Sequence, residues 1–135
     1  MSRIMSKTAL RATLLAAAML AAPQLIATAA AQAPAKTADT SKGKTLVDAK
    51  GMTLYTYDKD TTAGKSSCNG PCATNWPPLT ASASTGSGDW SVVTRDDGAK
   101  QWAYKGKPLY TWNKDSKPGD VTGDGVNSVW HIATP

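Results

Sequence analysis

The chain has 135 residues, with fifteen Lys plus Arg, ten Asp, no Glu and one His, and its formal net charge is +5. Three of the basic residues lie among the first 31, and the rest of the chain has twelve basic and ten acidic residues, a net charge of only +2. We therefore expect no nucleic-acid partner, and without Glu any hydrolysis by paired carboxylates would have to use Asp.

Residues 1–31 have the pattern of a secretory signal peptide. Three basic residues precede an Ala- and Leu-rich apolar stretch, and small residues allow cleavage after Ala31 or Ala33. Pro23 and Gln24 interrupt the apolar stretch well short of the roughly 20 residues that a membrane span requires. The pattern predicts a periplasmic or secreted protein with no stable membrane anchor after cleavage.

A change of composition follows the predicted signal peptide. Residues 32–43 contain no large apolar residue, which predicts a flexible linker. The folded part is then expected to be one small domain over residues 44–135.

An internal repeat organises this domain. The segment KGMTLYTYDKD, residues 50–60, matches KGKPLYTWNKD, residues 105–115, with seven of eleven positions identical. The match continues through later glycines and ends with Trp76 opposite Trp130 after the loss of one residue. A repeat of this length indicates a duplicated structural unit. Copy one covers about residues 44–79, and copy two covers about residues 90–133.

The repeated segment is typical of a β-strand, because Thr, Tyr and Trp favour the pleated, half-buried setting. Alternation puts Tyr55 and Tyr57 on one face of the strand and Leu54 and Thr56 on the other. Residues 45–48 are expected to form the partner strand of the repeated segment, with a turn at residues 49–51. Further strands are expected at residues 91–95, 101–104 and 129–133, with a turn at Lys105 and Gly106 after the second of them. No stretch of the predicted domain has helical periodicity. The sequence predicts a mostly-β domain of six to eight short antiparallel strands, formed by two tandem repeats with pseudo-twofold symmetry.

The repeated aromatic residues have two interpretations. Nine Trp and Tyr residues lie in the predicted domain, and a chain this small needs them for its core. If they were exposed, they would instead form a platform for a glycan or peptide. The residues considered as ligand contacts are Tyr55, Tyr57, Tyr110, Trp112 and His131.

Cys68 and Cys72 are the only cysteines. An even count in an exported chain predicts a disulfide, which closes a loop over Asn-Gly-Pro. The pair could be structural, or it could be redox-active, since short loops can be reducible. No third cysteine is present to complete a metal site with them.

Acidic residues follow both aromatic strands. Such turns could hold Ca²⁺ with oxygen ligands, although Asp, Asn and Gly are also the ordinary residues of turns. The candidate metal ligands are Asp58, Asp60, Asp115, Asp120 and Asp124. The single His131 would serve as a general base only if it met an Asp in a pocket. The histidine belongs to copy two and the cysteines to copy one, so a specific function is expected where the copies differ.

The chain resembles a bacterial family described as a secreted repeat of unknown function, often called a predicted lipoprotein. The resemblance covers about residues 44–133. It rests on Gly51-x-x-Leu54-Tyr55-x-Tyr57-x-x-Asp60, Cys68-x-x-x-Cys72, Trp76-Pro77-Pro78-Leu79, Gln101-Trp102-x-Tyr104-x-Gly106-x-Pro108-Leu109-Tyr110, Gly123-Asp124-Gly125 and Trp130-His131. It implies an envelope or secreted location and supplies no reaction. This chain has no cysteine placed to accept a lipid.

We expect a non-catalytic binding or structural module of the envelope, monomeric and without a cofactor. The alternative is a redox or metal-linked accessory protein that uses Cys68 and Cys72 or the acidic turns.

Overall fold

The computed structural model describes residues 33–135, so the predicted signal peptide lies outside the described residues. Seven strands form three small antiparallel sheets in this part of the chain, with orders β1-β2, β3-β7 and β4-β5-β6. In chain order the elements are β1 (Lys36–Thr40), β2 (Gly43–Val47), β3 (Tyr55–Tyr57), α1 (Pro71–Asn75), β4 (Trp90–Thr94), β5 (Lys100–Tyr104), β6 (Lys107–Pro108), a 3₁₀ turn (Val126–Ser128) and β7 (Trp130–Ile132). Over residues 33–135, no helix has the length and apolarity needed to cross a bilayer. The predicted mostly-β class is confirmed.

Within the expected linker, residues 32–43, the structure has strand β1 from Lys36 to Thr40 and a turn into β2. Strand β1 pairs with β2 along its whole length. The Thr40 hydroxyl donates to the carbonyl of Gly43 and closes the turn, and Ala35, just before β1, is buried in the core. A short polar strand needs no large apolar residue of its own when its turn and its neighbour hold it in place.

The main partner of β3 also differs from the predicted one. The sequence places β2 beside β3, but β3 pairs with β7, where Tyr55 lies opposite Ile132. The Asp48 carboxylate accepts hydrogen bonds from the N–H groups of Lys50 and Met52, both at 2.9 Å. This tight turn leaves β2 in contact with the chain just before β3 through isolated backbone bonds only.

The two repeats are related by a local twofold axis between Tyr55 and Tyr110. The N–H of Tyr55 donates to the carbonyl of Tyr110 at 2.8 Å, and the N–H of Tyr110 donates back at 3.0 Å. Further backbone bonds occur in equivalent pairs: Asp58 N–H to Val129 O with Asn113 N–H to Asn75 O, and Ala133 N–H to Leu54 O with Leu79 N–H to Leu109 O. The last segment of each repeat therefore lies along the aromatic strand of the other repeat, and the two repeats are interleaved.

Two apolar clusters lie on opposite sides of the aromatic strands, as the predicted alternation requires. Leu54 and Leu109 belong to one cluster, and Tyr55 and Tyr110 belong to the other; all four are fully buried. The first cluster also contains Ala35, Leu46 and Ala133, and the second contains Cys68, Trp76 and Trp130. We refer to them below as the leucine cluster and the aromatic cluster.

One short helix corrects the expectation of no helix. Helix α1 begins at Pro71, directly after Gly70, whose φ of 58° turns the chain, and its last turn is closed by the N–H of Trp76 bonding to the carbonyl of Cys72. Proline fits the first helical position because its missing N–H has no partner there anyway. A helix of five residues is too short to produce a periodic pattern in the sequence.

Candidate functional site

Four aromatic rings form a continuous stack through the aromatic cluster. The rings follow the order Tyr57, Trp130, Trp76 and Trp112, with centroid separations of 4.2, 3.7 and 3.9 Å. Rings from the two repeats alternate along the stack. Tyr55 and Tyr110 meet its two central tryptophans edge-on, at 5.4 and 5.1 Å. The repeated aromatics are thus mainly core, and only the two end rings are partly exposed.

Each buried tyrosine donates its hydroxyl to an aspartate of the other repeat. The hydroxyl of Tyr55 lies 2.5 Å from Oδ2 of Asp115, and that of Tyr110 lies 2.6 Å from Oδ2 of Asp60. The two pairs are equivalent, because both tyrosines and both aspartates are 55 residues apart. Burial, and then the bond to the carboxylate, raises the pKa of both tyrosines. These carboxylates fix one repeat to the other.

Removal of either hydroxyl is expected to have the same effect. Tyr55→Phe and Tyr110→Phe should each lower the free energy of unfolding by about 2 kcal/mol, because a hydrogen bond to a carboxylate is lost. Urea unfolding of both variants measures this. Tyr57→Phe, at the partly exposed end of the stack, is the matched control and should change stability by less than about 0.5 kcal/mol. Equal effects of all three substitutions would contradict a role for the crossed pairs.

A buried arginine extends the Tyr110 pair into a polar network. Arg95 is 4% exposed, and its guanidinium donates to the Ser66 hydroxyl at 2.9 Å and to Oε1 of Gln101 at 2.7 Å. It also donates to the carbonyl of Cys68. The Ser66 oxygen lies 2.6 Å from the Tyr110 hydroxyl, so the network connects the cysteine loop to the crossed pair.

The same network sets the ionisation of Asp60. Burial raises the pKa of its carboxyl above the ordinary value of 3.8, although hydrogen bonds from Tyr110 and Ser67 and the charge of Arg95 oppose the rise. The folded protein therefore holds this proton more tightly than the unfolded chain does. The resulting stabilisation is full below about pH 3.8 and is lost as the pH rises through the raised pKa.

Asp60→Asn should remove this pH dependence, because the amide keeps the shape of the neutral carboxyl and does not titrate. Between about pH 3 and 6, the wild-type protein should lose stability relative to the variant as the pH rises. Urea unfolding at a series of pH values measures the difference. Asp89→Asn, at an exposed position away from the network, controls for the loss of one charge. A wild-type protein that gains stability relative to Asp60→Asn over this range would contradict the assignment.

The acidic turns do not converge on a metal site. In residues 33–135, no three His, Cys or Asp side chains come together as a metal-ion site. Asp120 caps the turn at Ser116 and Lys117, and these backbone bonds lower its pKa. Asp124 accepts the N–H of Ile132, and the other three predicted ligands pair with Tyr or His. The predicted metal ligands are therefore separated and serve as turn or strand partners.

Cys68 and Cys72 form a disulfide, with their Cα atoms 5.2 Å apart. Cys68 is fully buried in the aromatic cluster, whereas Cys72 is partly exposed in α1. The bond closes the loop of residues 68–72 and fixes Cys68, whose carbonyl accepts from Arg95 and which follows Ser66 by two residues, so it helps to position the polar network.

His131 and Asp58 meet across β3 and β7. Nε2 of His131 lies 2.7 Å from Oδ2 of Asp58, and about half of each side chain is exposed, 47% and 51%. Both line a groove of about 270 Å³. The walls of the groove are formed by Thr56, Asp58, Tyr104, Lys105, Lys107, Leu109, His131, Ile132, Ala133, Thr134 and Pro135. A smaller depression of about 100 Å³ shares Thr56, Asp58 and Lys107 with it.

The His131–Asp58 pair lies where the repeats differ. The paired backbone bonds show that Asp58 is equivalent to Asn113, and His131 to Pro77. In the other half, Nδ2 of Asn113 lies 3.2 Å from Oδ1 of Asn75. Pro77 has no side chain that could form an ion pair. The molecule is symmetric in its core, whereas the His131–Asp58 pair is replaced by Pro77 and Asn113 in the other half.

Sequence reasoning did not identify two features of these sites. Arg95 appeared only as a strand residue, because an arginine in a sequence has no mark that it will be buried. From the sequence, Lys105 is expected in the turn with Gly106, and Lys107 directly after it. In the structure, Lys105 has a positive φ of 49°. Their position next to His131 depends on the interleaving of the repeats, which no local pattern reveals.

The fold and the site define a class of protein: a two-repeat, interleaved β domain with a polar groove beside its His131–Asp58 pair. A family model described as a secreted repeat of unknown function matches residues 36–80 and 91–134. The chain belongs to this family of secreted repeats, and the predicted resemblance is confirmed. The first match begins at β1, which agrees with β1 being part of copy one. No curated protein and no solved structure matches the chain.

Proposed function

We propose that the protein is a non-catalytic binding module of the periplasm or the extracellular medium, acting as a monomer, and that its ligand occupies the His131 groove. One observation carries the proposal. The charged pair and the groove residues Tyr104 and Lys107 stand at positions where the two repeats differ, whereas the stack and the crossed Tyr–Asp pairs follow the repeat symmetry. Symmetric features serve the fold, and a ligand site can be added to one half without disturbing it.

The groove favours a ligand that carries negative charge and hydroxyl groups. Among the lining side chains, the two cations of Lys105 and Lys107 outnumber the one carboxylate of Asp58, and Thr56 and Tyr104 add polar groups. Leu109, Ile132 and Pro135 add apolar contacts to this mainly polar lining. A carboxylate on the ligand would lie near Lys107, and its hydroxyls near the His131–Asp58 pair.

The exposure of the His131–Asp58 pair supports binding over catalysis. A His–Asp pair is the geometry of a general base, and the two residues do meet in a groove. However, both side chains are half exposed to water, and strong transition-state stabilisation depends on a site that excludes water. We therefore assign the pair to orientation of ligand hydroxyls.

A titration with galacturonate at low salt tests the proposal. Backbone and His131 side-chain NMR signals of the groove should shift in a saturable way, and Lys107→Met should reduce the affinity severalfold because one cation is lost. Lys65→Met, on an exposed loop away from the groove, is the matched control. Shifts that are scattered over the surface, or unchanged by Lys107→Met, would exclude the groove as the site.

A redox role is the second candidate, and the partial exposure of Cys72 favours it. In this role the Cys68–Cys72 bond would exchange with a thiol at the Cys72 sulfur, since Cys68 is buried. Thiol labelling of the folded protein after mild reduction discriminates between the roles. A bond that persists under conditions that reduce glutathione disulfide would restrict the pair to a structural role.

A further inference from the structure

The outer face of the β4–β5 hairpin carries three partly exposed aromatic rings. Strand β5 alternates strictly: Gln101 and Ala103 are buried, whereas Trp102 and Tyr104 lie on the opposite face and are partly exposed. Trp90 of β4 lies directly opposite Tyr104 on the same face. We call Trp90, Trp102 and Tyr104 the aromatic face.

The aromatic face is continuous with the His131 groove. Tyr104 belongs to both, because it lines the groove and packs its ring 4.8 Å from the ring of Trp90. Trp90 in turn lies 6.3 Å from Trp102. The rings are tilted rather than coplanar, at 49° and 83°. A ligand that leaves the groove past Tyr104 would meet successive rings in a twisted row.

Positive charge follows the same path. The ammonium group of Lys105 lies 5.2 Å from the centre of the Tyr104 ring, and Lys107 is exposed in the groove. Lys100 lies on the outward face of β5, beyond Trp102. The acidic residues nearest to this path in the chain are Asp58 in the groove, Asp89 beside Trp90, and Asp96 and Asp97 in the turn between β4 and β5.

Copy one has no counterpart of the aromatic face. Its equivalent hairpin, β1 and β2, has the sequences KTADT and GKTLV and contains no aromatic residue. Copy two thus supplies the adjoining rings and most of the groove, which Thr56 and Asp58 of copy one complete. Trp90 and Tyr104 also pack against the leucine cluster, while all three rings remain partly exposed. Apolar groups that stay exposed together on one surface mark an interaction site.

We propose that the groove and the aromatic face together bind an anionic polysaccharide composed of uronic acid residues. The proposal rests on the proposed function and names its ligand class. The C–H face of a pyranose ring stacks on the negative face of an aromatic ring, and the carboxylates of successive residues are placed for Lys107, Lys105 and Lys100. One sugar residue fills the groove, and the following residues lie along Tyr104, Trp90 and Trp102.

Calorimetric titration of the mature protein with galacturonate and with its hexamer tests the extended site. The hexamer should bind at least about fivefold more tightly than the monomer, because it adds ring contacts and charge pairs. Trp102→Ala should remove most of this advantage and leave monomer binding unchanged, since Trp102 lies outside the groove. Trp102→Phe keeps a ring and should restore it, and thermal melting verifies that each variant is folded.

The outcomes separate the extended site from the groove itself. Equal affinities for monomer and hexamer, with no effect of Trp102→Ala, would overturn the extended site and leave the groove intact. No binding of either sugar would overturn both proposals. If hexaglutamate bound as tightly as the galacturonate hexamer, the site would recognise charge rather than sugar. If cellohexaose bound as tightly, the carboxylates would make no contribution to binding. Either result would overturn the inference.

Discussion

Replacing Trp76 by alanine should lower the free energy of unfolding by about 4 kcal/mol, within the range for buried tryptophans. Trp76 is 4% exposed and lies at the centre of the stack between Trp130 and Trp112. A Cβ added to Gly123 would lie only 2.8 Å from its ring, so the surroundings are tightly packed around it. Domains of this size are stable by only about 5–15 kcal/mol, and the variant should approach marginal stability. Urea unfolding measures the loss.

Two further variants make this prediction specific. Trp130→Ala removes the equivalent ring of the other repeat. It should lower the free energy of unfolding by nearly the same amount, because the exposure and ring contacts of Trp130 match those of Trp76. Trp112→Ala removes a partly exposed end ring and should cost about half as much. The double variant of Trp76 and Trp130 should show coupling, since the two rings touch. A loss from Trp112→Ala equal to that from Trp76→Ala would contradict the central role of the inner pair.

Arg95→Met should lower the free energy of unfolding by about 3 kcal/mol, although methionine fills similar space. The guanidinium donates hydrogen bonds to the Ser66 hydroxyl, to Oε1 of Gln101 and to the carbonyl of Cys68. In the variant, the acceptor oxygens of Gln101 and Cys68 would be buried without this donor. The substitution also removes the cation that lowers the pKa of Asp60. The acid transition of Asp60 should therefore move to higher pH in the same variant.

Arg95→Lys separates the contribution of the positive charge from that of the planar set of hydrogen bonds. Lysine keeps the positive charge but cannot reach several acceptors in one plane. We therefore expect it to lower the free energy of unfolding by about half as much as Arg95→Met does. Urea unfolding at neutral pH measures the stability. Urea unfolding at a series of acidic pH values measures the change in the pKa of Asp60. A loss below about 1 kcal/mol for Arg95→Met would show that water replaces the guanidinium, and the network would then be dispensable.

Local features of the fold could be predicted from the sequence because they depend on neighbouring residues. The strict alternation at Tyr55 and Tyr57 placed these rings on one face, and Gly106 marked the turn between β5 and β6. The disulfide followed from the cysteine count and the export signal. In each case the deciding physics acts within a few residues.

Features that arise from the meeting of distant segments could not be predicted in this way. Asp60 and Asp115 had the composition of a turn, and only the fold shows that each holds a tyrosine of the other repeat. The same is true of β1, whose polar residues are ordered by pairing with β2. His131 was a candidate only because it is unique, and its partner Asp58 lies 73 residues away.

The reciprocal bonds at Tyr55 and Tyr110 have a consequence for the smallest unit that can fold. The aromatic strand of one repeat is completed by the last segment of the other, so a single repeat leaves its own strand and its own tyrosine hydroxyl unsatisfied. A chain cut in the exposed segment of residues 82–89 should yield two fragments that recombine with each other rather than two independent domains. The stable unit is a pair, and the connecting segment serves to keep the two partners at high local concentration.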